Sequence, residues 1–340
     1  MTDIVCVGIL VADVLGKTVN SFPEKGKLAL VDRMSLQIGG CAANVVIDLA
    51  KLGLGSTIIG KIGDDNFGKF LLETLNSNKV NISGLKLDNN VSTSASMVMI
   101  SSDGERSILH SFGANAKFCF DDINLDIIKK SKILLIAGTF LMPDFDGEGT
   151  RKLLKFAKEN GVLCCMDTAW DSTGEWLNKI EPSLEYLDWF MPSYDEAVEM
   201  SGKTKHEGIA QFFYSKGVRN VIVKLGSEGC YVKPENEDGY TVVAFNKVKA
   251  IDTSGAGDSF CAGFIAGLYK GWKVQKCAEF ANAVGAHCIM QIGTTTGIKS
   301  IEEVLRFISD YEFIHVKKSH TKMNNEASPT HILTNKKNYK

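Results

Sequence analysis

The chain is 340 residues long, 44% hydrophobic and 23% charged, enough apolar material for one large α/β domain or two smaller ones. With 38 Lys and Arg against 40 Asp and Glu, its formal net charge of -2 excludes an overall field that would gather nucleic acid, and a small-molecule ligand is expected instead. The nine cysteines form no C-x-x-C pair and sit mostly in apolar runs, so they read as reduced core residues of a cytoplasmic protein.

Taken in chain order, residues 4–10 (IVCVGIL) read as strand one, with Asp13 at its carboxyl end. This apolar run stops far short of the ~20 residues of a membrane span and follows no basic leader, so neither a membrane segment nor a targeting signal is expected. Residues 14–38 have strand character without a helix. A helix is predicted over 45–53 (VVIDLAKLG), a strand over 56–63 (STIIGKIG) and a helix over 67–78. Residues 91–112 again form strands without a helix, around an Asp103-Gly104 turn. Strand 133–140, helix 153–161 and strand 163–169 resume the alternation, and glycines at 53, 161 and 217 mark helix ends. Such alternation predicts a mostly parallel sheet with helices on both faces. The two segments without helices predict a small antiparallel β lid, whose apolar face and free edges call for cover by a second copy of the chain. Residues 316–340, with six lysines and one glutamate, read as a disordered basic tail on a domain spanning 1–315.

The most informative stretch is IDTSGAGDSF, residues 251–260. Gly255-Ala256-Gly257 opens a small-residue helix, where successive N–H groups form an anion site that bulkier side chains would obstruct. Asp258 lies in the first turn. A carboxylate there is either a helix-end residue stabilised by the dipole or a base beside a cradle for negative charge, the pairing that phosphoryl transfer to a hydroxyl requires. Elsewhere, Asp13 can accept hydrogen bonds from a polyol, Gly39-Gly40 permit close backbone approach, and Asn44 in the following helix offers an acceptor and two donors. Gly226 and Gly229 read either as a nucleotide-wrapping turn or as a plain strand-to-strand turn. Two patterns mislead. GSTIIGKI (55–62) lacks the Mg²⁺-binding hydroxyl of a P-loop, having Ile62 there, and His287-Cys288 has no metal-ligand partner at suitable spacing.

Over residues 3–312 these stretches resemble, in order, the PfkB (ribokinase-like) carbohydrate kinases. DTSGAGD is similar to the family's D-T-x-G-A-G-D, IGGCAANVVIDLAKLG to its two-glycine signature, and GKIGDDNFG to its G-x-x-G-D-D-x-F-G segment. GERSILHSFGANAKF and VIVKLGSEGCYV resemble its lid return and its nucleotide turn, and ANAVGAHCIMQIGTTTG resembles its adenine-side helix and loop. The resemblance implies an ATP- and Mg²⁺-dependent sugar kinase of ribokinase-like fold. Asp258 would be the base, the 255–257 amides the anion hole, and Asp13, Gly39, Gly40, Asn44 and Asn115 the sugar contacts. It places Lys224, Gly226, Ser227, Gly229 and Asn282 at the nucleotide, Glu196 at Mg²⁺ through water, and Asp252, Ser254 and Gly293 at a monovalent cation such as potassium. Two departures stand out. Ser193 replaces the asparagine of the family's N-x-x-E, and Asp171 stands where an arginine is frequent, which argues against a strongly anionic sugar phosphate. Trp170 either stacks on a sugar or fills the core. A nucleoside kinase and a silent sugar-binding regulator are the alternatives, and an intact G-A-G-D weighs against the latter.

Overall fold

The computed structural model describes residues 3–103 and 105–311. Its strands are β1 (Ile4–Gly8), β2 (Val11–Lys17), β3 (Arg33–Gly39), β4 (Ser56–Gly63), β5 (Asn81–Asp88), β6 (Ala95–Ile100) and β7 (Arg106–Ser111). They continue as β8 (Ile133–Thr139), β9 (Leu163–Thr168), β10 (Trp189–Phe190), β11 (Asn220–Lys224), β12 (Cys230–Lys233) and β13 (Tyr240–Val242). Nine of them form one sheet in the order β13-β12-β11-β10-β9-β8-β1-β4-β5. All neighbours from β5 to β11 pair in parallel, and only β12 and β13 turn back.

Strands covered on both faces need continuous apolar runs rather than alternation. β1 and β8 are buried along their whole length. Alternate residues feed two cores: Ile4 and Cys6 face the side packed by helices Cys41–Lys51, Ala256–Tyr269 and Val274–Ile289, while Val5 and Val7 face the side packed by Glu148–Glu159 and His206–Ser215. Seven of the nine cysteines are buried, and two, Cys41 and Cys119, are half-buried. The glycines at 53, 161 and 217 all take positive φ just beyond helix ends, as expected. Among the described residues, no helix is long and apolar enough to cross a membrane. Residues 316–340, read as a basic tail, lie outside the described part.

The second sheet is the lid, in the order β3-β2-β6-β7. Its outer pairs are antiparallel, and β2 and β6 join them in parallel. The lid begins at Val11 rather than at 14, and this corrects the position of Asp13, which is the third residue of β2 instead of the end of β1. Gly8, with φ 157°, closes β1, but the apolar run continues past it and the chain changes sheets at Ile9-Leu10. Period-2 alternation then sorts the lid's faces. Asp13, Gln37, Ser96 and His110 form one cross-strand row, and Val14, Leu36, Met97 and Leu109 form the next, on the opposite face.

Asp146 is buried where the chain enters the Glu148–Glu159 helix and accepts the Met142 N–H at 2.8 Å, while its Oδ1 has no partner. Burial pushes its carboxyl up to about 7, well above the ~3.9 of an unfolded aspartate. The folded chain therefore binds this proton more tightly, so the group's contribution is complete below about pH 4 and is lost as pH rises through 7. Asp146→Asn is expected to flatten the fall in melting temperature between about pH 5 and pH 8; an unchanged slope would assign that fall to other groups.

Candidate active site

At the carboxyl edge of the large sheet, the Ala256–Tyr269 helix begins from Gly255 with a left-handed φ of 75°. A Cβ at Gly255 would lie 2.5 Å from the Thr294 carbonyl oxygen, so only glycine lets the helix mouth sit against the 293–297 loop. The first N–H groups of a helix have no intrahelical acceptors, and they leave positive potential at this mouth. The Ala256 N–H leans on the Thr253 carbonyl at a long 3.4 Å.

Asp258, in the first turn of this helix, is half-buried. Burial raises its carboxyl above the usual aspartate range, opposed by the Asn44 amide, the Lys224 ammonium and the Cys41 side chain. Asn44 Nδ2 donates to Asp258 Oδ2 at 2.7 Å, and Asn44 Oδ1 accepts from Thr294 Oγ1 at 2.9 Å. Asn44 is 3% exposed. Its carboxamide, expected to meet a polyol, instead aims the acid. One helical turn later Asp48, fully buried, accepts from Ser259 Oγ at 2.6 Å, and its Oδ1 is unpartnered. Burial pushes the Asp48 carboxyl well up, with the Ser259 hydroxyl opposing. Sequence reasoning passed over Asp48, although its i, i+4 spacing from Asn44 carries the signal.

The nucleotide residues gather as expected. Lys224, Gly226, Ser227, Gly229 and Asn282 line one cavity of about 340 Å³ that runs to Ala256 and Gly257. Gly229 has φ 102°, and a Cβ there would lie 2.0 Å from the Val242 carbonyl oxygen. The Asn282 amide donates to the Val242 and Val243 carbonyls at 3.0 and 3.2 Å, fixing the wall opposite. The 244–250 segment, including Phe245 and Val248, supplies more of that wall and has no sequence signature. Lys224 pairs with Asp167 at 2.5 Å. Burial opposes the Lys224 charge, but Asp167 and Glu196 outweigh it and hold the ammonium above the ordinary lysine range. Its Nζ lies 3.4 Å from where a Gly257 Cβ would be, beside the helix mouth.

Glu196 follows Ser193, the N-cap of the Tyr194–Ser201 helix, and its Oε2 accepts the Ser193 N–H and the Thr168 hydroxyl, each at 2.9 Å. Serine at 193 thus serves as an ordinary cap. The Glu196 carboxylate is within electrostatic reach of Lys224, Asp167 and Asp258. Asp171, the departure from arginine, accepts from the Thr173 and Trp176 N–H groups and builds a turn. Trp170 does not fill the core: it is 55% exposed, edge-on to Trp176 at 5.0 Å.

On the lid side, Asp13, Gln37, Arg106, Asp252, Ser254 and Thr294 enclose a space of only about 30 Å³. Burial raises the Asp13 carboxyl, with Ser96 opposing. A Cβ at Gly39 would lie 2.0 Å from Asp13 Oδ2, and one at Gly40 2.5 Å from the Ile9 carbonyl oxygen, so both glycines make room at the lid's root. Asn115 departs from the expected sugar contact. It is 2% exposed, donating to the Leu10 carbonyl at 3.0 Å and accepting the Leu10 N–H at 3.2 Å. The residues expected at a monovalent cation are engaged with one another and with the lid. Asp252 Oδ2 accepts the Gly293 N–H at 3.0 Å and Oδ1 the Ser254 N–H at 2.8 Å, while the Arg106 guanidinium from β7 donates to Asp252 Oδ1 and Ser254 Oγ. Burial works against the Asp252 charge, yet these donors hold its carboxyl below the usual range. Residues with their oxygens so engaged do not fit a potassium ion.

An anionic group moving onto a hydroxyl is the event that uses both a positive helix mouth and a half-buried acid beside it, and this sets the fold among phosphotransferases with an alcohol acceptor. The chain belongs to the pfkB family of carbohydrate kinases, whose pattern matches residues 1–301. Probable fructokinase-5 of Arabidopsis thaliana is 32% identical over 270 residues, covering 75% of this chain and 83% of that protein. A 5-dehydro-2-deoxygluconokinase of Clostridium perfringens is 29% identical over 284 residues, covering 80% and 83%. The solved structure of Arabidopsis thaliana ribokinase complexed with ribose and ATP matches with a TM-score of 0.80 at 27% identity, over 91% of this chain and 99% of that one. These relatives do not favour the nucleoside-kinase alternative.

Two substitutions separate aiming from anchoring. Asn44→Ala should lower kcat by ~10–100-fold, the worth of one hydrogen bond to a charged group, and should move the acid limb of the rate profile upward, because a donor that lowers the Asp258 pKa is gone. An unmoved limb would show that Asn44 does not act on Asp258. Asn115→Ala should destabilise the fold by about 2–4 kcal/mol through two unpaired Leu10 groups, leaving ATP affinity intact; a parental melting temperature would contradict the anchoring role.

Proposed function

We propose that this carbohydrate kinase binds ATP along the Lys224–Gly229 turn, with its γ-phosphoryl group at the Gly255–Gly257 mouth and an unphosphorylated sugar between Asp13 and Asp258. The observation that carries the reading is that Lys224 and the helix mouth at Ala256-Gly257 line one cavity of about 340 Å³, while Asp258, in the first turn of that helix, feels the Lys224 charge. The sugar oxygen forms a bond to the γ-phosphorus, the bond to the ADP oxygen breaks, and the hydroxyl proton passes to Asp258. In a loose transition state the charge spreads over the equatorial oxygens, which the amides and Lys224 face. Asn44 fixes the rotamer of the acid, and Asp48 stays neutral behind it. Magnesium, held through water near Glu196, would neutralise phosphate charge.

A space of about 30 Å³ holds little more than a water, so the lid must lift to admit sugar and settle to exclude solvent. The absence of a cation at Asp171 favours neutral over phosphorylated sugars, and the names of the relatives put fructose, ribose and 5-dehydro-2-deoxygluconate first in a screen. Residues 1–315 would act as one domain with 316–340 appended. Exposed Met34, Leu36, Met97 and Leu109 on the outer lid face suit a second copy as cover.

Asp258→Asn should lower kcat by about 10²–10⁴ while ATP still raises the melting temperature. In the parent enzyme, activity should fall with acid at a midpoint above the ordinary aspartate range, since the raised carboxyl must be ionised to accept the proton. Sugar turnover by Asp258→Asn at the parental rate would remove the acid from the mechanism.

A further inference from the structure

The two loops that brace the anion hole, 252–254 and 293–295, present a cluster of oxygens, and this chain fills it with its own donors. Arg106 donates to the Asp252 carboxylate and the Ser254 hydroxyl. The Cys288 thiol lies 3.2 Å from both the Ser254 and the Thr294 carbonyl oxygens, and Lys51 Nζ donates to the Thr295 carbonyl at 2.6 Å. Carboxylate, hydroxyl and carbonyls are the ligand types of an alkali ion; here the Asp252 carboxylate, the Ser254 hydroxyl and the Thr295 carbonyl accept from cationic side chains, and the one Cys288 S–H serves one of the other two carbonyls at a time.

We infer that the Arg106 guanidinium, carried on lid strand β7, is a built-in counter-charge that replaces a monovalent cation and ties the organisation of the anion hole to the lid. The inference rests on the kinase reading above. Asp252 is largely buried, and a buried carboxylate requires a charged or hydrogen-bonded partner. A guanidinium is always protonated and presents two parallel donors, matching the carboxylate and hydroxyl together. Gly255 packs on Thr294, so the loop that Asp252 holds through Gly293 is the wall against which the helix mouth is set. An ion from solution would serve that wall with the lid up or down. Arg106 serves it only with the lid down, so the phosphate cradle is fully braced only when sugar is covered. Arg106 is thus a positioning residue.

The test uses the full chain with Mg²⁺, ATP and a turned-over sugar, in potassium, sodium or tetramethylammonium chloride at equal ionic strength. Melting temperatures are read in the same salts without substrates. The parent should give the same kcat, within ~2-fold, and the same melting temperature in all three. Arg106→Ala should lose ~10-fold or more in kcat in tetramethylammonium, with sugar KM changed less than ~3-fold; potassium or added guanidinium should restore part of it, and potassium should raise its melting temperature. Arg106→Lys should keep the indifference to ions. Several-fold potassium activation of the parent would overturn the inference. So would an Arg106→Ala enzyme altered only in sugar KM, or one unaltered in every salt. A parent that consumes no ATP with any sugar would defeat the kinase reading instead, and the melting data would still decide on Arg106.

Discussion

A desolvated carboxylate stays ionised only where donors and positive potential surround it, and half-buried Asp258 is met by both. Desolvation pushes its proton affinity up, and the Asn44 amide, the Lys224 ammonium and the helix mouth pull it back. Burial and these donors thus act in opposite directions on one carboxyl, with burial the larger effect. Each donor comes from a different part of the sheet edge: Asn44 from the helix after β3, Lys224 from the end of β11, and the amides from the helix that carries Asp258 itself. The parallel order of the large sheet is what brings these chain ends to one edge.

Packing and electrostatics are coupled in the same helices. Ser259, next to the acid, faces inward to Asp48, so the register that presents Asp258 to the cavity also closes a buried hydrogen bond between the two helices. The glycines in the Ala256–Tyr269 helix permit the close approach behind it: a Cβ at Gly263 would lie 2.9 Å from the Ala281 Cα, and one at Gly267 2.8 Å from the Cys277 sulfur. A bulkier helix would stand off from its neighbour and turn the acid away. Lys224 is held from the other side by Asp167, at 2.5 Å.

Much of this was legible in the sequence because the signals are local. Continuous β-branched runs marked the doubly covered strands, glycines marked helix ends, and Gly255-Ala256-Gly257-Asp258 contains both cradle and base within four residues. What escaped notice depends on contacts between distant segments. In residues 4–17 only Gly8 marks the end of β1, and the apolar run continues past it in a form that suits either sheet, which is why Asp13 reads as the end of the first strand. Asn44 and Asn115 have side chains suited to a polyol, and composition alone cannot tell that neighbours already claim them. Arg106 and Asp252 are 146 positions apart, and Asp48 reads as a polar interruption in an apolar helix until Ser259 is seen against it.

Leu10 deserves a last comparison with the rest of the lid root. One carboxamide, at the point where the chain returns from β7, clasps the backbone N–H and C=O of Leu10, the residue through which the chain leaves β1. Outbound and inbound strands are thereby riveted together at the root of the plate, and the Arg106 contacts to Asp252 and Ser254 fasten its far strand to the core. Lengthening or trimming the exposed 18–32 connection, which hangs beyond the rivet, would alter the rim of the plate without shifting its root.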